Sequence, residues 1–198
     1  MVFDFSVDPF LHFTRLLDEA QSRGEPEHNA MALATVGADL KPSVRIVYYK
    51  GLIRGGLSFY GNYNSTKAKN IEQNNQVCLN FYYPKEWHQI RISGRAKKLT
   101  RAENEAYFAT RNRLSQVGAW ASNQSQEIPG TEYFQKRISE YEKSFDGEEV
   151  PCPENWGGFH VIPEEFEFWF GKSGRLHERY VYQRASAHDQ WRTFMKAP

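Results

Sequence analysis

Arg175, His177 and Arg179 alternate in the stretch Phe168-Trp169-Phe170-Gly171-Lys172-Ser173-Gly174-Arg175-Leu176-His177-Glu178-Arg179. Two guanidiniums and an imidazole thus follow directly on an aromatic, strand-like run. An extended backbone repeats its side-chain direction every second residue, so a strand through this segment would aim all three at one face. Such a face repels itself unless an anionic or electron-rich group lies over it. Taken alone, the pattern reads more readily as a solvated polar edge. Other segments of the chain shift that balance.

Arg45-Ile46-Val47-Tyr48-Tyr49-Lys50 reads as a strand with cations five residues apart. An odd offset turns them to opposite faces, where they would serve different partners or snorkel from the strand ends. Asn62-Tyr63-Asn64-Ser65-Thr66-Lys67 falls where a loop enters a helix. Free N–H groups, a serine cap and a lysine at a partially positive helix start form a phosphate seat. An ordinary cap beside an exposed Lys67 is the plainer alternative, and the P-loop glycine pattern is missing. Tyr107, Arg111 and Ser115 recur at intervals of four. One helical face would then present a phenol, a guanidinium and a hydroxyl, either to a phosphate monoester or as a polar surface stripe. Gln89 lies in an expected strand and Gln124-Ser125 in an expected loop, where amides can read the edge of a heteroaromatic ring. No metal site is expected, because H-E-x-x-H would need a histidine at Val181. No Ser-His-Asp order or carboxylate pair stands out.

Local signals supply the elements that must hold these residues. Asp8-Pro9 opens a helix whose stripe Phe10, Phe13, Leu17 and Ala20 runs until Arg23-Gly24. Residues 30–36 and 43–50 read as a hairpin across Gly37-Ala38-Asp39, and 57–60, 77–83 and 89–99 as further strands. Ser65 caps a helix over 66–74. Thr100-Arg101-Ala102-Glu103 is a capping box opening a helix to about residue 110. Phe134, Ile138, Tyr141 and Phe145 mark another helix, ended by Gly147. Residues 158–161, 166–170, 179–183 and 191–195 read as the last strands. The expected fold is mainly β with peripheral helices, α+β, around a closed or nearly closed barrel.

Composition agrees with that class: 14 Phe, 11 Tyr and 5 Trp favour a β-rich core over a leucine-built bundle. A net charge of +1 gives no bulk field for nucleic acid or an anionic membrane, so any anion must be held by local clusters. Cys78 and Cys152 fit neither a disulfide framework nor a metal motif. The Met1-Val2-Phe3-Asp4 start carries no signal pattern and no apolar run reaches spanning length, so a cytoplasmic protein is expected. No linker divides the chain. One domain over 1–198 is expected, with 1–7 as a short N-terminal arm.

Together the segments resemble the pyridoxine/pyridoxamine 5′-phosphate oxidase family. The matching strings include Ala30-Met31-Ala32-Leu33-Ala34-Thr35-Val36, the R-I-V-x-x-K of residues 45–50, Phe59-Tyr60-Gly61-Asn62 and Ser65-Thr66-Lys67-Ala68. Tyr107-Phe108, Arg111, Ser115-Gln116-Val117-Gly118-Ala119-Trp120-Ala121-Ser122, Gln124-Ser125 and Val150-Pro151 follow in order. Trp156-Gly157-Gly158-Phe159, Glu167-Phe168-Trp169 and Arg175-Leu176-His177-Glu178-Arg179 complete the set, over residues 8–198.

The resemblance implies an FMN-binding split β-barrel, working as a homodimer with FMN at the interface. By it, Arg45, Thr66 and Lys67 take the flavin phosphate, with Gln124 and Ser125. Ile46, Val47, Tyr48, Tyr49, Lys50, Tyr60 and Gly61 also line the flavin. Gln89, Trp169 and Arg179 lie along it, some from the opposite subunit. Lys50, Tyr107, Arg111 and Ser115 grip the substrate phosphate, while Arg175, Leu176 and His177 cover the substrate, Arg175 and His177 in catalytic roles. The implied reaction takes hydride from C4′ of the pyridine to flavin N5, and O2 reoxidises the flavin to give H2O2, with NH3 released from the amine.

Departures from the family pattern are local. Thr66 stands where an arginine is usual, Gly61 where threonine or serine is common, and Phe194-Met195-Lys196-Ala197-Pro198 replaces an arginine-leucine-x-proline ending. Many relatives carry a longer N-terminal arm over the substrate, so that lid is expected to be missing or supplied otherwise. A phenazine-biosynthesis type oxidase would lack the substrate-phosphate set. A non-catalytic flavin or pyridoxal phosphate binder would not need Arg175 and His177. A haem-binding split barrel has no recognised histidine ligand here.

Overall fold

The computed structural model describes residues 3–198. Of the expected arm, residues 1 and 2 lie outside the described residues. The rest of it rests on the first helix and the late strands. Phe3 is stacked between His12 and Tyr180, 4.2 Å from each ring, and Tyr182 donates to the Val7 carbonyl at 2.9 Å.

Helix α1, Pro9–Ser22, begins where Asp8 accepts from the Phe10 N–H at 2.8 Å, and Pro9 fits the first turn. Its buried stripe, including Phe13, Leu16 and Ala20, covers the barrel core. Strands β1 (Ala30–Val36), β2 (Pro42–Tyr48), β3 (Leu52–Ile53) and β4 (Gly56–Asn62) follow, then α2 (Thr66–Gln73), β5 (Gln76–Tyr83) and β6 (His88–Lys98). Helices α3 (Arg101–Ala109), α4 (Arg113–Ala121) and α5 (Thr131–Ser144) precede β7 (Trp156–Phe170), β8 (Glu178–Gln183) and β9 (Arg192–Lys196).

All strand pairs among the described residues are antiparallel, in the order β2-β1-β5-β6-β7-β4-β3. The first half of β7 pairs with β4 and its second half with β8, which carries β9. The sheet bends round without closing. Two backbone bonds, Lys50 N–H to Ser58 O and Ser58 N–H to Gly51 O, both 2.9 Å, draw the chain after β2 against β4. Alternate residues point inward, and Leu33, Leu57, Phe59, Leu79, Phe81, Ile90, Ile92 and Phe168 are fully buried. A second, smaller core of Phe108, Val117, Val150, Cys152 and Trp156 lies under the helices.

Five expectations are corrected. The strands expected at 158–161 and 166–170 are one 15-residue strand. Its Pro163 is tolerated because β6 shifts register between Ser93 and Gly94 opposite it. Tyr107, Arg111 and Ser115 do not share a helix: α3 ends at Ala109, and Asn112 caps α4 through a 2.8 Å bond to the Ser115 N–H. Arg175 and His177 are not in a strand, because Ser173–Arg175 forms a 3₁₀ turn with Arg175 at φ 63° and β8 starts only at Glu178. Lys50 lies past the end of β2, so strand parity does not set it opposite Arg45. Ser65 occupies the N-cap position of α2, but its hydroxyl donates to the Asn62 carbonyl instead of accepting from the helix.

Candidate functional site

A cavity of about 1100 Å³ lies among β2, β4, the start of α2 and the α3–α4 junction. β2 contributes Arg45, Ile46, Val47 and Tyr48, with Lys50 just beyond it. β4 brings Tyr60 and Gly61, α2 brings Thr66 and Lys67, and the loop after α4 brings Gln124 and Ser125. Tyr107, Arg111 and Ser115 reach the same cavity from α3, the break and α4. The helix break thus does what one helical face was expected to do. Tyr49 does not line the cavity; its ring packs edge-on against Phe13 and Phe81.

The lining holds four cations, Arg45, Lys50, Lys67 and Arg111, and no carboxylate. None of the four has an acidic partner within ion-pair distance among the described residues. Lys67 is 6% exposed, and its ammonium donates to Gln124 Oε1 at 2.6 Å and Ser65 Oγ at 3.1 Å. Burial first and Arg45 second pull its pKa down to about 8. Gly61 makes room for it, since a Cβ there would sit 2.9 Å from Lys67 Cε. Arg45 is held by neutral acceptors: its Nη1 donates to Leu33 O, Thr35 Oγ1 and Ser43 O at 2.8–3.0 Å, and its Nη2 to Ser43 Oγ. Burial also lowers its pKa from the ordinary arginine value.

Arg111 forms a second focus. Its guanidinium lies 4.7 Å from the Trp156 ring centre, and Nη1 is buried with no hydrogen-bond partner among the described residues. Burial lowers its pKa and Tyr107 opposes that shift. Tyr60 stacks on Tyr107 at 3.9 Å and on Trp156 at 5.4 Å, making an aromatic wall beside the free donor. A buried cation without a counter-charge is costly, so two such foci in one cavity call for anions.

The other candidates sit elsewhere on the chain. Gln89, Trp169 and Arg179 form a cross-strand row over β6, β7 and β8, register partner to register partner. His177 packs on Trp169 at 4.6 Å between ring centres. Arg175 and Leu176 occupy the exposed turn next to them, and none of these six lines the cavity.

A family model described as pyridoxamine 5′-phosphate oxidase matches residues 17–145. A second, described as the pyridoxine 5′-phosphate oxidase C-terminal dimerisation region, matches residues 156–198. A pyridoxine/pyridoxamine 5′-phosphate oxidase of Bdellovibrio bacteriovorus is 57% identical over 197 residues, covering 100% of both chains. The chain belongs to the pyridoxine/pyridoxamine 5′-phosphate oxidase family. A Leptospira biflexa protein of that name is 49% identical, covering 89% of this chain and 84% of its own. Among solved structures, PhzG from Burkholderia lata, in complex with tetrahydrophenazine-1-carboxylic acid, superposes with a TM-score of 0.92. It is 28% identical over 100% of this chain and 98% of its own.

Within this oxidase fold, sequence reasoning missed the wall made by Trp156 and the break residue Asn112. Asn112 had a signal: asparagine three residues before Ser115 is a helix start in the middle of an expected helix face. No comparable signal marked Glu167, which is 1% exposed and paired with Arg179. No helix among the described residues is long and apolar enough to cross a membrane.

Proposed function

We propose that this protein is an FMN-dependent oxidase that converts pyridoxine 5′-phosphate or pyridoxamine 5′-phosphate to pyridoxal 5′-phosphate. O2 is the acceptor, H2O2 is released, and the amine substrate also yields ammonia. The single observation that carries this reading is the carboxylate-free cavity with two cationic foci, one at Lys67 and Arg45 and one at Arg111. One flavin phosphate and one substrate phosphate match them in number and charge. A substrate lacking phosphate would leave Arg111 Nη1 unsatisfied, which speaks for a B6 phosphate over a phenazine precursor.

FMN, when bound, supplies the hydride acceptor that no side chain can provide. Arg45, Lys67, Gln124 and Ser125, with the start of α2, hold its phosphate. Thr66 offers a hydroxyl there. Lys50, Tyr107, Arg111 and Ser115 hold the substrate phosphate, and these two anchors fix distance and angle between the rings, a large source of rate enhancement. Gln89, Trp169 and Arg179 contact the flavin, and Arg175 positions the substrate ring while His177 assists proton movement. That second set lies off the cavity of its own chain, so the working unit is a homodimer with each site built across the interface. The family's C-terminal dimerisation region, matched at residues 156–198, carries Trp169 to Arg179. Free thiols at Cys78 and Cys152 suit a reducing, cytoplasmic setting.

Purified protein given FMN and pyridoxamine 5′-phosphate in air should form the aldehyde with an equivalent of peroxide. A flavin-loaded protein inert toward both phosphorylated vitamers would overturn the assignment. Turnover of an unphosphorylated tricyclic substrate instead would transfer it to the phenazine type.

A further inference from the structure

Glu167 lies at the centre of a charge network that the chemistry above does not use. Its side chain is 2% exposed, in the second half of β7. Arg179 grips it along one edge, with Nε donating to Oε1 at 3.0 Å and Nη2 to Oε2 at 3.1 Å. Lys196 donates to Oε2 at 3.3 Å from β9, and Arg91 stands 3.5 Å from Oε1 on β6. Arg179 Nη1 donates to the Ala197 carbonyl at 3.0 Å. A guanidinium has five N–H groups in a rigid fork, so these contacts fix its plane and leave a hydrogen free on each terminal nitrogen. Trp169 lies two residues beyond Glu167 on the same face and is the register partner of Arg179.

We propose that Glu167 is a positioning residue: it holds Arg179 in the orientation from which the remaining N–H groups meet FMN, and so sets flavin affinity without touching the cofactor. The inference rests on Arg179 being a flavin contact, as argued above. A carboxylate serving only to tie β6, β7, β8 and β9 together would affect stability alone. One serving to aim Arg179 affects flavin binding, and only while Arg179 is present.

Four apoproteins separate these cases: wild type, Glu167→Gln, Arg179→Ala and the double variant. Each is titrated with FMN by quenching of flavin fluorescence and melted without FMN. Arg179→Ala and Glu167→Gln should each weaken FMN binding roughly tenfold, the scale of one charged hydrogen bond. The double variant should bind no more weakly than Arg179→Ala, because Glu167 acts through it. A Glu167→Gln protein that melts earlier but binds FMN as wild type overturns the proposal, as does full additivity of the two losses. Wild-type binding by Arg179→Ala would remove both this proposal and the role given to Arg179. In that event a Lys67→Met protein that still loses FMN would keep the cofactor reading itself intact. Should Glu167→Gln fail to fold, Glu167→Asp gives the same comparison, keeping the charge while its shorter carboxylate cannot span Nε and Nη2.

Discussion

Arg111 keeps its buried Nη1 without a partner among the described residues, at a cost of about 1–3 kcal/mol unless an acceptor reaches it. On the proposed reading, that donor meets the substrate phosphate. Arg111→Ala should therefore raise KM for pyridoxamine 5′-phosphate roughly 10- to 100-fold while FMN stays bound; loss of flavin instead would mean the two anion seats are exchanged. Lys67 carries a pH dependence with a definite sign. Its folded pKa, about 8, is below the ordinary 10.5. The penalty for burying its charge is therefore complete below pH 8 and relieved as pH rises from 8 toward 10.5, so the apoprotein should gain stability over that window. FMN affinity should move the opposite way, falling above pH 8 as the ammonium is lost. Fluorescence titration from pH 7 to pH 9.5 checks both, and Lys67→Arg, charged throughout, should flatten the affinity curve. These residue types were legible as chemistry in the sequence, but their surroundings were not. Lys67 reads as an exposed side chain at a helix start until the fold places Gln124 and Gly61 against it.

Elements were legible where their signals are local. Asp8 caps α1, and Thr100 with Glu103 closes both halves of the capping box at the start of α3. Thr100→Ala should lower unfolding free energy by about 1 kcal/mol in a denaturant titration, with little effect on flavin binding. The missed features depend on partners distant in sequence. Pro163 looks like a strand break, yet β7 continues because Gly94 on β6 opens the register beside it. That glycine is sterically required: a Cβ there would lie 2.1 Å from the Ile162 carbonyl oxygen. Gly94→Ala should thus destabilise by about 1–3 kcal/mol, read as a lower melting temperature. The alternation of Arg175, His177 and Arg179 suggested one strand because period 2 is the same in a strand and in a short irregular loop. Gly174 and Arg175 at positive φ, 66° and 63°, turn the chain instead and leave only Arg179 on β8.

At the scale of the whole molecule, the candidate site comes in two halves. Two cationic foci and an aromatic wall line the cavity, whereas Gln89, Trp169, Arg175, His177 and Arg179 gather around β6, β7, β8 and the turn between the last two. One chain cannot supply both halves to one ligand pair unless the turn travels to the cavity. Two copies can, by a symmetric exchange in which each lends its row to the other's cavity. The alternatives give different results when inactive variants are mixed. Arg111→Ala damages a cavity, and Arg175→Ala damages a turn. Unfolded together and refolded at equal amounts, half of the dimers would be hybrids. If the halves meet across the interface, each hybrid has one site with both halves intact and one with both damaged. The mixture should then recover about a quarter of wild-type activity, although neither parent has appreciable turnover at low substrate. If the turn closes over its own cavity, every site in every hybrid keeps one damaged half, and mixing restores nothing. Activity of the refolded mixture against each parent refolded alone thus distinguishes a shared site from a self-contained one.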